Sequence, residues 1–297
     1  MTALPWAHWQ AWGLHLHLGA LHLDTSGRAV FFFWVTLVLL LVAGTAVALS
    51  GKAELRRRWL TWAAIAPVVG IPIWLGPAPT AAVAAVIGVQ AVREYAGLVS
   101  LPRRDTAVLA GLAVAFPLLA LLAPSGLALT PLLALATAAL PLLAGDTSTG
   151  FRRACLAAFG VVWICWSLAH LVLLWHDAYL VCFAAAAADV AAWCGGTLGR
   201  RFSFTRRPLT PLSPNKTVGG VLGAVAGTSL VLLAAGSFSV AWVAAIGLGG
   251  VVGDLLESML KRQAGVKDAG GWLPGFGGLL DRVDSLLVVL PLAWVLA

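Results

Sequence analysis

The chain has 297 residues, of which 61% are hydrophobic and 10% charged, and its mean hydropathy is +0.94. Apolar runs repeatedly reach the ~20 residues that an α-helix needs to cross a bilayer. This composition excludes a soluble globular protein and predicts an all-α fold, a polytopic bundle of transmembrane helices. A net charge of +7 would suggest nucleic acid for a soluble protein. Here the basic residues are distributed as topology determinants, so no nucleic-acid partner is predicted.

The first 28 residues combine tryptophans with histidines, a mixture of amphipathic rings that is typical of the headgroup region. We expect residues 1–28 to form an N-terminal interfacial segment. The pair His15 and His17 has no acidic or cysteine partner nearby, so a metal site there is disfavoured.

Apolar segments then follow one another along the chain, separated by proline, glycine or charged residues. Their predicted bounds are 30–49, 59–77, 79–100, 107–123, 128–144, 156–176, 178–198, 218–236, 239–258 and 285–297. The last is short for a crossing, so we expect about nine or ten membrane helices. We divide them into N-terminal transmembrane helices, 29–176, and a C-terminal catalytic transmembrane region, 177–297, with cytoplasmic loops 199–217 and 259–284.

Basic residues indicate the orientation. Of the 19 Lys and Arg residues, all except Arg28 and Arg93 fall in connections on one side of the predicted bundle. These connections are 52–58, 101–105, 145–153, 199–217 and 259–284. An excess of Lys and Arg marks cytoplasmic loops. We therefore expect an integral protein of a bacterial-type inner (cytoplasmic) membrane, with its active site facing the cytoplasm.

Three charged residues lie well inside predicted spans, away from their ends. Asp189 is surrounded by alanines, and a charged side chain at a helix centre costs about 2.5–3.5 kcal/mol on insertion scales, so it indicates a site or an internal ion pair. Arg93 and Glu94 are adjacent and cannot face each other on one helix. We expect each of them to find a structural partner elsewhere in the bundle.

The segment 254–285 concentrates polar residues in an otherwise apolar chain. Asp254, Glu257, Ser258 and Lys261 follow the i, i+3, i+4, i+7 pattern and would form one stripe on a helix. Asp281 and Asp284, three residues apart, would likewise share a face.

The basic loop 199–217 supports two interpretations. It could hold anionic headgroups and set the topology. Its end also places hydroxyls, an amide and a lysine beside a predicted helix N-terminus, where phosphate oxygens bind well. The residues concerned are Ser213, Asn215, Lys216 and Thr217.

The acids and bases of this region suit phosphoryl chemistry. Asp189, Asp254, Asp281 and Asp284 offer hard oxygen ligands typical of a Mg²⁺ site, and the four cysteines match neither a zinc motif nor a disulfide framework. The cations that could neutralise a polyphosphate are Lys216, Lys261, Arg262, Lys267 and Arg282. The spacing alone predicts a membrane enzyme that acts on a phosphorylated lipid with a nucleotide.

Three features carry a family resemblance: a signature in four segments, a loop motif and an intramembrane aspartate. Ser258-Met259-Leu260-Lys261-Arg262, Lys267-Asp268, Leu273-Pro274-Gly275-Phe276-Gly277-Gly278 and Leu280-Asp281-Arg282-Val283-Asp284-Ser285 together closely resemble the signature of the phosphatidate cytidylyltransferase (CDP-diacylglycerol synthase) family. Residues 212–217 look like its second cytoplasmic motif, and Asp189 occupies the place of its intramembrane aspartate. The resemblance covers the C-terminal half well and the N-terminal half only in general character.

The resemblance implies transfer of CMP from CTP to phosphatidic acid, with membrane lipids as partners and with Mg²⁺ and often a second cation such as K⁺. Asp281 would be the leading metal ligand, with Asp254, Asp284 and Asp189 completing or supporting the cation site. Asp281, Asp254, Lys261 and Arg282 would be catalytic. The residues expected to bind CTP, the lipid headgroup or their phosphates are Ser213, Asn215, Lys216, Thr217, Ser258, Arg262 and Lys267.

Three departures from the family pattern leave alternatives open. Phe276 replaces the family histidine, Gly219 replaces an acid, and Val190-Ala191 lack the small polar character that is typical after Asp189. These changes are compatible with a divergent enzyme acting on another lipid phosphate, or with a non-catalytic homologue. A transporter is a further alternative, since intramembrane acids also serve ion relays. A homodimer is compatible with the sequence, which does not reveal the oligomeric state.

Overall fold

The computed structural model describes residues 14–18, 21–25, 27–273 and 277–297. Two antiparallel strands, β1 (Leu14–Leu18) and β2 (Leu21–Thr25), precede the helices. The alternation of leucine and histidine in β1 has the period of a strand, a signal that the interfacial interpretation did not use. Residues 1–13 of the predicted interfacial segment lie outside the described residues, and its location at the membrane surface stays a prediction.

The described residues contain fourteen α-helices. They are α1 (Gly27–Ser50), α2 (Ala53–Leu75), α3 (Pro77–Val99), α4 (Arg103–Leu122), α5 (Thr130–Ala138), α6 (Leu140–Leu143), α7 (Gly150–Gly160), α8 (Ser167–Leu173), α9 (Trp175–Leu198), α10 (Val218–Ala234), α11 (Val240–Val243), α12 (Gly249–Gln263), α13 (Leu280–Val283) and α14 (Leu286–Val295). The 3₁₀ segments Pro124–Leu129 and Gly199–Arg201 precede α5 and follow α9. The π-helical segments Val161–Trp166 and Ala244–Leu248 join α7 to α8 and α11 to α12.

Counted across these junctions, eight helical stretches of the described chain are long and apolar enough to cross a bilayer. They correspond to the first seven predicted spans and the ninth, which confirms an all-α polytopic membrane bundle. The eighth predicted span is the 17-residue helix α10, and the last is α14 with 10 residues. Leu41 and Val42 on α1 are typical of the outer surface, where large apolar side chains are exposed as expected for contact with lipid.

Several helices begin earlier than the hydropathy predicts. The basic residues 56–58 lie in the first two turns of α2, and Arg103 opens α4. Long basic side chains can extend from a helix end towards water while their stems cover apolar surface. The charged residues that we used as span boundaries are therefore the hydrated ends of the same helices.

Helices α9 and α10 pack against each other through glycines. A Cβ at Gly223 would collide with the carbonyl oxygen of Ala191, and one at Gly227 would lie 2.5 Å from the Ala191 Cβ. A Cβ at Gly219 would lie 2.8 Å from the carbonyl oxygen of Gly195. Small residues allow this backbone approach between membrane helices. The contact brings Asp189 of α9 close to the loop that ends at α10.

An arginine fixes the ends of α4 and α7 on the predicted cytoplasmic side. Arg153 donates to both carboxylate oxygens of Asp105, from Nε at 3.0 Å and from Nη2 at 2.9 and 3.0 Å, and from Nη1 to Asp146 at 2.6 Å. Asp105 is only 1% exposed. This bidentate geometry is a strong charge-assisted contact, and it positions the helices beside the polar C-terminal segment.

Candidate active site

The predicted polar stripe lies on α12, as the spacing indicated. Lys261 is its centre: the Nζ atom lies 2.5 Å from Oε2 of Glu257 and 2.7 Å from Oδ1 of Asp281. Glu257 is 1% exposed and Asp281 is 7% exposed. One lysine therefore compensates two buried carboxylates from different parts of the segment.

Asp281 also organises the loop that precedes it. Its Oδ2 atom accepts hydrogen bonds from the backbone amides of Ala269 at 2.9 Å and Gly278 at 2.8 Å. Burial raises the pKa of Asp281, but hydrogen bonding, led by that from Lys261, outweighs burial and the pKa is lowered overall. The carboxylate is thus ionised at neutral pH and joins the two ends of the segment 269–278, whose residues 274–276 lie outside the described chain.

A second carboxylate reaches the same loop from α3. Glu94 accepts hydrogen bonds from the backbone amides of Leu279 at 3.0 Å and Leu280 at 2.7 Å. The expectation that Glu94 has a partner elsewhere in the bundle is confirmed. The partner is the start of α13, which the sequence analysis did not identify.

Lys216 connects the basic loop to α12. Its Nζ atom forms an ion pair with Oδ2 of Asp254, and the hydroxyl of Ser285 donates to Oδ1 of Asp254 at 3.2 Å. Burial lowers the pKa of Lys216, and the charge of Asp189 opposes this effect. The structure therefore brings the loop 199–217 and the C-terminal segment together, as expected if the end of this loop binds phosphate (the phosphate-clamp interpretation).

Thr217 has a structural contact that the phosphate-clamp interpretation did not include. Its hydroxyl accepts a hydrogen bond from the amide of Gly220 at 3.2 Å and caps the N-terminus of α10. Ser213 is half-buried, and its carbonyl oxygen accepts from the amide of Lys216 at 3.0 Å. These contacts shape the turn that presents Lys216.

The remaining predicted binding residues differ in exposure. Ser258 is half-buried on α12. The exposed side chains are those of Asn215, Arg262, Lys267 and Arg282. Coulombic interactions link Asp189 with Lys216 and Arg282, so α9 contributes its acid to one charged cluster. The cluster comprises Asp189, Lys216, Asp254, Glu257, Lys261, Asp281, Arg282 and Asp284. The exposed cations lie at the rim, where a soluble polyphosphate could reach them.

Two acids near Lys261 are only partly compensated by hydrogen bonds: Lys261 donates to Oε2 of Glu257, and the amide of Ser285 donates to Oδ1 of Asp284 at 2.9 Å. Asp284 is buried, and burial raises its pKa; Asp189 repels it electrostatically. The Oε1 atom of Glu257 is buried and has no hydrogen-bond partner. Within the described residues, no group of three or more His, Cys, Asp or Glu side chains is arranged to hold a metal ion. The donor chemistry nevertheless suits a hard cation, because unpartnered carboxylate oxygen and mutual repulsion are what such an ion relieves.

An open cavity of about 440 Å³ lies beside the start of the segment that follows α12. Its lining combines the C-terminal end of α3, the start of α7, the end of α12 and the start of the segment that follows α12: Gly97, Leu98, Ser100, Arg152, Gln263, Ala264, Val266, Asp268 and Ala269. Ala269 is also the residue whose amide binds Asp281. The cavity therefore shares a wall with the charged cluster.

The model of the cytidylyltransferase family matches residues 56–297, which is most of the chain and includes every residue of the charged cluster. The chain belongs to the cytidylyltransferase family. The match begins in the first turns of α2, so it also includes Glu94 and the helices that the motif resemblance covered only in general character.

Individual cytidylyltransferase relatives match shorter stretches. A Helicobacter pylori protein named phosphatidate cytidylyltransferase is 41% identical over 137 residues, which are 43% of this chain and 44% of that protein. The Synechocystis protein of the same name is 43% identical over 118 residues, 36% of this chain and 38% of that protein. The Pseudomonas aeruginosa protein of that name is 38% identical over 122 residues, 34% and 42% respectively. The aligned stretches thus span less than half the length of these relatives.

The structure explains one departure from the family pattern. Gly219 stands where the family pattern has an acid, and it is buried against Gly195 and Thr205 at the closest approach of α9 and α10. A larger side chain could not occupy this position without separating the helices. Phe276, the replacement for the family histidine, lies outside the described residues.

Sequence reasoning underused two residues of the cluster. The helical spacing puts Glu257 on the polar stripe but predicts no role for it, although it is the most deeply buried acid beside Lys261. The sequence predicts only a structural partner for Glu94. Its signal in the sequence was a carboxylate within an apolar span, which is costly without a defined partner.

Proposed function

We propose that this protein transfers CMP from CTP to phosphatidic acid, giving CDP-diacylglycerol and pyrophosphate. The observation that carries the proposal is the Lys261–Asp281 pair, which lies at the centre of the signature segment within the region matched by the cytidylyltransferase family. The names of the relatives support phosphatidate as the lipid substrate. Eight membrane-length helices around the cluster support a lipid substrate that stays in the bilayer.

The reaction forms one bond and breaks one. An oxygen of the lipid phosphate attacks the α-phosphorus of CTP, and the bond from that phosphorus to the bridging oxygen of the β-phosphate breaks, so pyrophosphate leaves with the bonding electrons. A phosphate monoester is at least singly ionised at neutral pH. Catalysis therefore depends mainly on aligning two anions and stabilising their charge.

The cations of the cluster supply that charge stabilisation. Lys261 holds a fixed position between Glu257 and Asp281, which orients its ammonium group before a substrate arrives. Lys216 and Arg282 would hold phosphate oxygens on the side of Asp189. The residues at the rim that would bind CTP or the lipid headgroup are Ser213, Asn215, Thr217, Ser258, Arg262 and Lys267. Asp254 would orient Lys216 through their ion pair.

We also propose that Mg²⁺ is held by Asp281, Asp284, Asp254 and Asp189, with a second cation such as K⁺ nearby. Bound there, Mg²⁺ would neutralise charge on the phosphates and polarise their oxygens. The unpartnered oxygen of Glu257 and the repulsion between Asp284 and Asp189 support a cation in this cluster. Asp281 already binds Lys261 and two amides, so Glu257 is a further candidate ligand.

The proposed location is a bacterial-type inner membrane with the cluster on the cytoplasmic side, where CTP is available. The basic connections support this orientation, because Lys216, Lys261, Arg262 and Lys267 all belong to the side richest in Lys and Arg.

The test is an assay of the full-length chain in detergent with radiolabelled CTP, phosphatidate and Mg²⁺. We expect a labelled CDP-lipid and stoichiometric pyrophosphate, and no product from the Asp281→Asn variant. A wild-type signal equal to that of Asp281→Asn would reject the proposal. A panel of other lipid phosphates, run in parallel, distinguishes phosphatidate from a different acceptor.

A further inference from the structure

Glu94 lies in α3, far along the chain from the signature segment, yet its carboxylate caps a helix of that segment. Oε1 accepts from the amide of Leu279 at 3.0 Å and Oε2 from the amide of Leu280 at 2.7 Å. The first amides of a helix have no intrahelical acceptor, and a negative charge at this end is favourable. Glu94 thus stabilises the start of the helix that presents Asp281.

The same carboxylate contacts both ends of the segment 269–278. A Cβ at Gly270 would lie 3.0 Å from the Glu94 carboxylate, and a Cβ at Gly278 would lie 2.6 Å from its Oε2 atom. A side chain at position 278 would displace the Glu94 carboxylate, and one at position 270 would crowd it. Asp281 binds the amides of Ala269 and Gly278 at the same place. Two carboxylates therefore close the base of one loop.

A charged carboxylate suits this position better than an amide. The side-chain amide of Gln90 donates a further hydrogen bond to Oε1 of Glu94 at 2.9 Å. Glu94 is 8% exposed, so water does not replace a missing acceptor. A glutamate accepts on both oxygens, whereas a glutamine accepts on one and offers donors at the other end. Replacing Glu94 by glutamine would set donor against donor at one of the two backbone amides.

We propose that Glu94 is a positioning residue for catalysis: it fixes the start of α13 and the base of the loop 269–278, and so holds Asp281 against Lys261. Its catalytic consequence rests on the proposed function, whereas its effect on the loop does not. The contact joins the N-terminal helices to the signature segment. A transmembrane helix without any motif residue thereby determines the geometry of the site.

The test compares Glu94→Gln with Arg93→Gln in the full-length chain in detergent. Arg93 is the adjacent residue and its side chain is exposed, so it controls for loss of a charge on α3. Limited trypsin cleavage after Lys267 reports release of the loop, and cleavage after Arg206, in the other cytoplasmic loop, is the internal reference. The melting temperature and the kcat and KM values for CTP and phosphatidate are measured on the same preparations.

For Glu94→Gln we expect faster cleavage after Lys267, unchanged cleavage after Arg206, and a fall in kcat of about a hundredfold, the scale of a small misplacement of reacting groups. The KM values should stay nearly constant, since the loss concerns alignment in the transition state. Arg93→Gln should behave as wild type in every measurement.

Wild-type cleavage after Lys267 together with wild-type kcat in Glu94→Gln would overturn the inference. Faster cleavage with unchanged kcat would overturn its catalytic part. If Glu94→Gln does not fold, Glu94→Asp is measured instead. Aspartate keeps the charge but is one methylene too short to reach both amides. The inference then requires faster cleavage after Lys267 and a lower kcat, each by a smaller factor than expected for Glu94→Gln. If the wild-type chain turns over no CTP, the proposed function fails, and the cleavage result alone still decides whether Glu94 holds the loop.

Discussion

Replacing Lys261 by methionine removes the cation between two buried acids and leaves an unbranched side chain that is one atom shorter. The side chains of Glu257 and Asp281 are 2% and 3% exposed, and their oxygens lie 2.5 and 2.7 Å from the lysine nitrogen. A hydrogen bond to a charged group contributes roughly 1.5–3 kcal/mol. Removing one partner of a buried ion pair costs about 3–5 kcal/mol, because the remaining charge is left uncompensated. We expect Lys261→Met to lose stability on this scale.

The stability assay is thermal unfolding in detergent. A loss of this size should lower the melting temperature by on the order of 10 °C in a chain of this length. Arg262→Met is the matched control for melting, because Arg262 is the next residue and is exposed; its melting temperature should stay close to that of the wild type. The proposed transferase activity of Lys261→Met should fall by about 10²–10³-fold, as for loss of one preorganised charge.

A second substitution tests the electrostatic reason. Adding Glu257→Gln to Lys261→Met neutralises one of the two uncompensated carboxylates, so the double variant should melt higher than Lys261→Met alone. The reasoning is refuted if Lys261→Met melts like the wild type, or if the double variant is less stable than the single one. Either result would mean that the two acids do not depend on Lys261 for compensation.

Three further predictions concern packing, the basic loop and topology. Gly223→Ala should lower the free energy of unfolding by about 1–3 kcal/mol, through overpacking against α9, and so lower the melting temperature. Gly111→Ala, with open space around the glycine, should leave the melting temperature unchanged. Equal melting temperatures of the two variants would contradict the close contact. Asp254→Asn should remain folded, as judged by gel filtration, but its transferase activity should fall by about 10²-fold because the Lys216 contact is lost. Full activity of this variant would exclude the proposed role of Asp254 in orienting Lys216. A reporter fused after Lys216 should be cytoplasmic, and a periplasmic signal would reverse the orientation.

The helices were predictable because crossing a bilayer depends on a local property, a sufficiently long apolar run. Their ends were less predictable, since Arg103 and its neighbours remain helical beyond the apolar run. The π-helical segments Val161–Trp166 and Ala244–Leu248 carry no comparable local signal. They depend on how each helix packs against its neighbours.

The site was predictable where its residues share one helix. The stripe from Asp254 to Lys261 follows from helical spacing alone, and the structure adds Asp281 to it at 2.7 Å. The contact of Glu94 with Leu279 and Leu280 joins residues more than 180 positions apart. Periodicity cannot predict such a contact, although a carboxylate in an apolar span requires that some partner exist.

The charges of the described cluster give a physical reason for a divalent cation. Its carboxylates are Asp189, Asp254, Glu257, Asp281 and Asp284, and its cations are Lys216, Lys261 and Arg282. The carboxylates outnumber the cations by two, and uncompensated negative charge in a poorly solvated place is costly. This excess is present without any acid at position 219, where Gly219 lies in the contact of α9 with α10. In the proposed function one Mg²⁺ ion would balance it, and the unpartnered oxygen of Glu257 supports an acid outside the four aspartates as a further candidate ligand.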